Sequence, residues 1–137
     1  MKGIVVASHG KMAEGILDSS KLFFGEQGQF IALCISGGES SDEFYELIKS
    51  GIEEVDSGDG VIFLCDILFG TPCNCAVRLM DECKDNLDII AGVNLPMVLH
   101  ILASRESGML NIEEICRQGV EGINNIRTVL ENEVEED

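Results

Sequence analysis

Two apolar runs in this chain each end in a residue that can do chemistry, and a helix start follows the second. Ile4-Val5-Val6-Ala7-Ser8 is closed by His9 and Gly10, at a strand-to-helix turn. Val61-Ile62-Phe63-Leu64-Cys65 is closed by Asp66 and leads into Phe69-Gly70-Thr71-Pro72-Cys73-Asn74. A carboxylate beside an imidazole accepts the proton of one ring nitrogen and fixes the tautomer. The other nitrogen then presents its lone pair as a nucleophile, and the imidazolium that develops is stabilised. A helix beginning at Thr71-Pro72 offers backbone N–H groups and a positive dipole end to an anion, and the Thr71 hydroxyl adds a donor. Phosphoryl transfer is mostly positioning and charge stabilisation, so it needs donors of this kind aimed at the phosphoryl oxygens. Each residue also has a plainer role: His9 as a turn residue, Asp66 as a loop cap. Taken together they point to a histidine that carries a phosphoryl group.

These residues meet only if particular elements bring them together. Residues 2–7 read as a strand buried on both faces. A helical stripe (Met12, Ile16, Phe23) follows from Lys11 to Phe24, then a second strand over Phe30–Cys34. Ser40-Ser41-Asp42-Glu43 is a capping-box pattern opening a helix with Phe44, Leu47, Ile48, Ile52 and Val55 on one side. The third strand is Val61–Cys65, with Thr71 expected as the N-cap of the next helix and Pro72 as its first residue. Ala76, Leu79, Met80 and Cys83 make that helix's apolar stripe. Leu87–Val93 reads as a fourth strand, Pro96 to Ala103 as a helix, Gly108 to Val120 as another, and Asn125–Leu130 as a short final strand. Such alternation predicts an α/β fold: a doubly wound, mostly parallel sheet with helices on both faces. In the order 2-1-3-4 the topological switch point falls between strands 1 and 3, placing the crevice between His9 and Asp66.

Composition narrows the function classes. The 137 residues suit one domain, expected over residues 1–130, with an acidic tail over 131–137 expected to be disordered. A net charge of −16 argues against binding nucleic acid or anionic membranes and favours a basic protein partner. Met1-Lys2-Gly3 enters directly into a strand-like run and no stretch approaches transmembrane length, so a cytoplasmic protein without a secretory signal is expected. The cysteines Cys34, Cys65, Cys73, Cys75, Cys83 and Cys116 form no C-x-x-C pair and read as reduced thiols. Cys73 and Cys75 near His9 imitate a metal site, but the paired spacings of structural zinc are missing, so no metal and no cofactor are assigned.

Val5-Val6-Ala7-Ser8-His9-Gly10 and Asp66-Ile67-Leu68-Phe69-Gly70-Thr71-Pro72-Cys73-Asn74 resemble the mannose-family EIIA domain of the bacterial phosphoenolpyruvate-dependent sugar phosphotransferase system. Gly92-Val93-Asn94-Leu95-Pro96-Met97 resembles that family's third signature, and the likeness spans residues 1–130. The resemblance implies that His9 takes a phosphoryl group from the phosphocarrier protein HPr and passes it to an EIIB domain, serving membrane EIIC and EIID components. It implies that Asp66 orients the imidazole, and that Thr71 with the backbone near Gly70 holds the phosphate. It also implies a homodimer whose fifth, antiparallel edge strand is exchanged between subunits, with Asn125–Leu130 as that strand. Phe69 stands where the family commonly has a glycine, which is expected to rule out a backbone conformation only glycine tolerates. His100, where the family often has an acid, is read as an ordinary helix residue.

Other readings share parts of this pattern. The phosphotransfer subunit that serves dihydroxyacetone kinase has an early domain of similar fold, although Gly92–Met97 fits an uptake system better. A response-regulator receiver would use Asp66 as acceptor, but needs acids for Mg²⁺ where this chain has Ser8-His9. A non-catalytic regulatory module could use the same crevice to sense phosphate.

Overall fold

In the computed structural model, which describes residues 1–83 and 86–136, strands and helices alternate as β1 (Gly3–His9), α1 (Met12–Phe24), β2 (Phe30–Ile35), α2 (Ser41–Val55), β3 (Val61–Cys65), α3 (Thr71–Cys83) and β4 (Leu87–Ala91). Then come α4 (Leu95–Ser104), a 3₁₀ turn (Arg105–Ser107), α5 (Ile112–Glu121) and α6 (Ile126–Glu136). The four strands form one parallel sheet in the order β2-β1-β3-β4.

Alternation along β1 and β3 splits the core in two, because successive side chains of a strand point to opposite faces. Val5, Ala7, Phe63 and Cys65 face Phe44, Ile48, Ala76 and Leu79 of α2 and α3. Ile4, Val6, Ile62 and Leu64 face Ala13, Val98, Ile101 and Ile115 of α1, α4 and α5. The parallel register sets Ala7 beside Cys65, which brings the ends of β1 and β3 to the same edge of the molecule.

The cap expected at Ser40 is present: its side chain accepts from the Glu43 N–H at 3.1 Å to open α2. Asn94, whose capping role the sequence reading did not single out, likewise caps α4 by accepting from Met97 at 3.0 Å. Other expectations need correction. No fifth strand joins the sheet among the described residues: Asn125–Leu130 was expected as an antiparallel edge, but helix α6 starts at Ile126. The Asn125 side chain accepts from the Arg127 N–H at 3.1 Å, and its carbonyl accepts from Val129 at 3.1 Å. A capped helix satisfies its backbone within the segment, whereas an edge strand needs a neighbour to pair with. The acidic stretch from Glu131, expected without structure, continues this helix through Glu136; Asp137 lies outside the described residues.

Arg105 carries no signal in the hydropathy pattern, yet it is 1% exposed. Its guanidinium donates to the carbonyls of Lys2, Gln29 and Gly28 and to Oε1 of Gln27, joining the start of β1 to the turn before β2. Burial lowers its affinity for the proton below the ordinary arginine range. It bolts the end of the sheet opposite to His9.

Candidate phosphoryl-acceptor site

His9 is the last residue of β1, where strand pairing gives way to a turn. Ser8, fully buried, builds that turn: its hydroxyl donates to the Gly10 carbonyl at 3.0 Å and accepts from the Ala13 N–H at 2.8 Å. The second bond supplies a partner to the first turn of α1, which Lys11 does not cap with its side chain. The Gly10 N–H donates to the Ile35 carbonyl at 2.8 Å, and its φ of 62° turns the chain away from the sheet. The imidazole is thereby left standing at the sheet's carboxyl edge, 46% exposed.

Asp66 lies directly across from it, one residue past β3. One carboxylate oxygen, Oδ2, accepts from both the backbone N–H of His9 at 2.9 Å and the ring Nδ1 at 2.8 Å. The other, Oδ1, accepts from the Ile67 N–H at 3.0 Å. Burial works against charge on this side chain, which is only 11% exposed. The bonds from His9 and Ile67 outweigh it and hold the carboxyl below its ordinary value of 3.8. An ionised carboxylate has only acceptor atoms, so the proton between them sits on Nδ1, which in the neutral ring leaves the Nε2 lone pair free. The structure thus brings together the two side chains that the sequence pairs, at a distance that suits the Nδ1–H tautomer.

The connection after β4 braces this pair. The N–H groups of Gly92 and Val93 both donate to the Cys65 carbonyl, at 2.9 and 3.0 Å, closing the turn over the end of β3. Asn94 ties the same turn to α5 by donating to the Gly119 carbonyl at 2.8 Å.

Gly70 sits closer to the histidine than the spacing suggests. A Cβ at position 70 would lie 2.6 Å from Cε1 of His9 and 3.3 Å from Nε2. Only a residue without a side chain leaves room for the ring as it stands. The start of α3 also shifts by one residue. The Gly70 carbonyl accepts the first helical bond, from Asn74 at 2.9 Å, so Gly70 is the cap, Thr71 the first helical residue and Pro72 the second. Pro72 is tolerated there because the N–H it lacks would have no partner within the helix.

Phe69 overturns one expectation. Its φ is 61°, in the left-handed region that glycine favours, so a bulky residue does occupy that conformation. The turn is pinned from α3, where the Asn74 amide donates to the Phe69 carbonyl at 3.2 Å. Ile67, Leu68 and Phe69 are 55%, 65% and 71% exposed, giving the site an apolar rim. Ser8, Asn74 and the contact role of Gly70 escaped the sequence reading; only the small polar residues flanking the motifs hinted at them.

The other candidates lie apart. His100 is half-buried within α4. Cys65, Cys73 and Cys75 are buried free thiols, and burial with the neighbouring Cys73 pushes Cys65 up to about 12, so it stays protonated. The Cys83 side chain lies outside the described residues. Among the described residues no cluster of three His, Cys, Asp or Glu side chains could hold a metal, and no helix is long and apolar enough to cross a membrane.

A sequence profile of the EIIA-man family, described as "PTS system fructose IIA component", matches residues 3–118. The "PTS system fructose-specific EIIA component" of Bacillus subtilis (strain 168) is 33% identical over 106 residues, 77% of this chain and 72% of that protein. The "PTS system mannose-specific EIIAB component" of Escherichia coli (strain K12) is 33% identical over 103 residues, 75% of this chain but 32% of that longer protein. Among solved structures, the PTS IIA protein associated with the fucose utilization operon of Streptococcus pneumoniae superposes with a TM-score of 0.87 at 33% identity, covering 94% of this chain and 96% of that one.

Proposed function

Because this chain belongs to the mannose/fructose family of phosphotransferase-system IIA components, we propose that it carries a phosphoryl group on His9, taken from phospho-HPr and handed to an EIIB domain. The observation that carries this reading is the pair of hydrogen bonds that Asp66 Oδ2 accepts from the His9 backbone N–H and ring Nδ1, at 2.9 and 2.8 Å. One atom thereby holds both the backbone and the ring of His9, in the arrangement that favours the Nδ1–H tautomer.

In the transfer, Nε2 attacks phosphorus in line as the bond from phosphorus to the donor's nitrogen breaks. The Nδ1 proton stays on the ring, and the positive charge that develops there faces the ionised Asp66. The N–H groups at the start of α3 and the Thr71 hydroxyl stabilise the phosphoryl oxygens. Onward transfer reverses these roles, with the acceptor attacking phosphorus and His9 leaving as a neutral imidazole. His9 lies open rather than in a deep pocket, as suits a group that must be reached by other proteins. The membrane EIIC and EIID components take part only through EIIB, and the protein acts in the cytoplasm. Exposed Ile123, Ile126 and Leu130 beside and on α6 favour a homodimer formed through the C-terminal segment.

The deciding experiment supplies labelled phosphoenolpyruvate, enzyme I and HPr. Label should appear on wild-type protein, be absent from His9→Ala, and be acid-labile but stable in base. Base-labile label, or label retained by His9→Ala, would place the acceptor elsewhere and end this reading.

A further inference from the structure

Phe69 occupies a conformation that an L-residue with a large side chain resists. In the left-handed region its Cβ crowds the following carbonyl, and glycine at the same place would avoid the strain. Nothing in the core repays this, since the side chain is 71% exposed. Strain of this kind that persists at a reactive centre is a sign of use. The next residue, Gly70, lies against the His9 ring, so Phe69 stands one residue from the surface that a donor must approach to reach Nε2.

The surroundings indicate the chemistry of that partner. Ile67 and Leu68 extend the apolar surface. At the same end of the molecule stand Glu14, Glu39, Asp42 and Glu43, and Arg78 is already engaged by Asp42 at 3.1 Å. With a net charge of −16, the complementary surface is an apolar patch bordered by lysines and arginines.

We propose that Phe69 is a docking and specificity-determining residue, held out by its left-handed turn to insert into an apolar patch, bordered by basic side chains, on the protein that donates the phosphoryl group. The proposal rests on the phosphoryl-carrier reading above. It assigns Phe69 no part in the bond-making step.

The test compares wild type with Phe69→Gly and Phe69→Leu, using phospho-HPr and, separately, phosphoramidate as a small donor that needs no docking. Phe69→Gly should lower kcat/KM with phospho-HPr by about tenfold or more, mainly through KM, as loss of an interface anchor does. Phosphorylation by phosphoramidate should stay at the wild-type rate, and the melting temperature should not fall by more than about 5 °C, since relieved strain offsets the added freedom of the unfolded chain. Phe69→Leu should recover much of the loss. Equal kcat/KM for Phe69→Gly and wild type would overturn the proposal, as would an equal loss with both donors. A wild-type protein that takes no phosphoryl group from either donor would instead overturn the carrier reading itself.

Discussion

A single oxygen of Asp66 accepts two hydrogen bonds from His9, one from its backbone N–H at 2.9 Å and one from ring Nδ1 at 2.8 Å. Backbone and side chain of His9 are therefore positioned together, and one change at Asp66 affects both.

Asp66→Asn should leave the sheet intact, because the amide oxygen can still accept the backbone N–H. An amide cannot stabilise an imidazolium as a carboxylate does, and its NH₂ group favours the wrong tautomer. Phosphoryl transfer should slow by about a thousandfold or more. Rapid-quench measurement of His9 phosphorylation reads this directly, and a change of less than tenfold would remove Asp66 from the mechanism.

The lowered carboxyl of Asp66 also makes a prediction about stability and pH. A group more acidic in the folded state contributes stability above its unfolded value, near 3.8, and loses it as pH falls through the folded value. Urea midpoints for wild type should exceed those for Asp66→Asn by a constant gap above about pH 5, narrowing below about pH 4. A gap that widens on acidification would contradict this assignment.

Gly70→Ala adds a methyl group where Cε1 of His9 lies 2.6 Å away. The ring must rotate or the turn must move, and either weakens the bond to Asp66. Phosphorylation should fall by about a hundredfold, as expected for a misplacement near 1 Å, with circular dichroism unchanged. The ring resonances of His9 should shift in the same variant even without any donor.

Arg105→Ala removes the buried guanidinium that ties Lys2, Gln27, Gly28 and Gln29 together. Orphaned acceptors and a cavity should cost about 3 kcal/mol or more. The variant should still transfer phosphate at low temperature, because Arg105 lies at the end of the sheet opposite to His9. A chemical-denaturation curve gives the loss, and a midpoint equal to wild type would show that the bolt is dispensable.

How far the structure was legible differs from place to place. Val61–Cys65 was read to the residue, since a short apolar run between Gly60 and Asp66 has few alternatives. Asn125–Leu130 was misread, because Ile126, Val129 and Leu130 fit a strand or a helix, and the Asn125 cap that favours the helix is a side-chain contact. Phe69 was noted where the family commonly has a glycine, but its left-handed backbone was not foreseen. That conformation depends on the pull of Asn74 across the turn rather than on preference at residue 69.

By itself, the sequence determined the alternation of strands and helices, the chemical types at the strand ends and the family. Those are written in local hydropathy, in turn residues and in motifs. Only the tertiary structure decided which oxygen of Asp66 meets His9 across 57 residues of chain, that Gly70 makes space for the ring, and that Arg105 is buried. Contacts at such separations follow from sheet register and packing, which exist only once the whole chain has closed on itself.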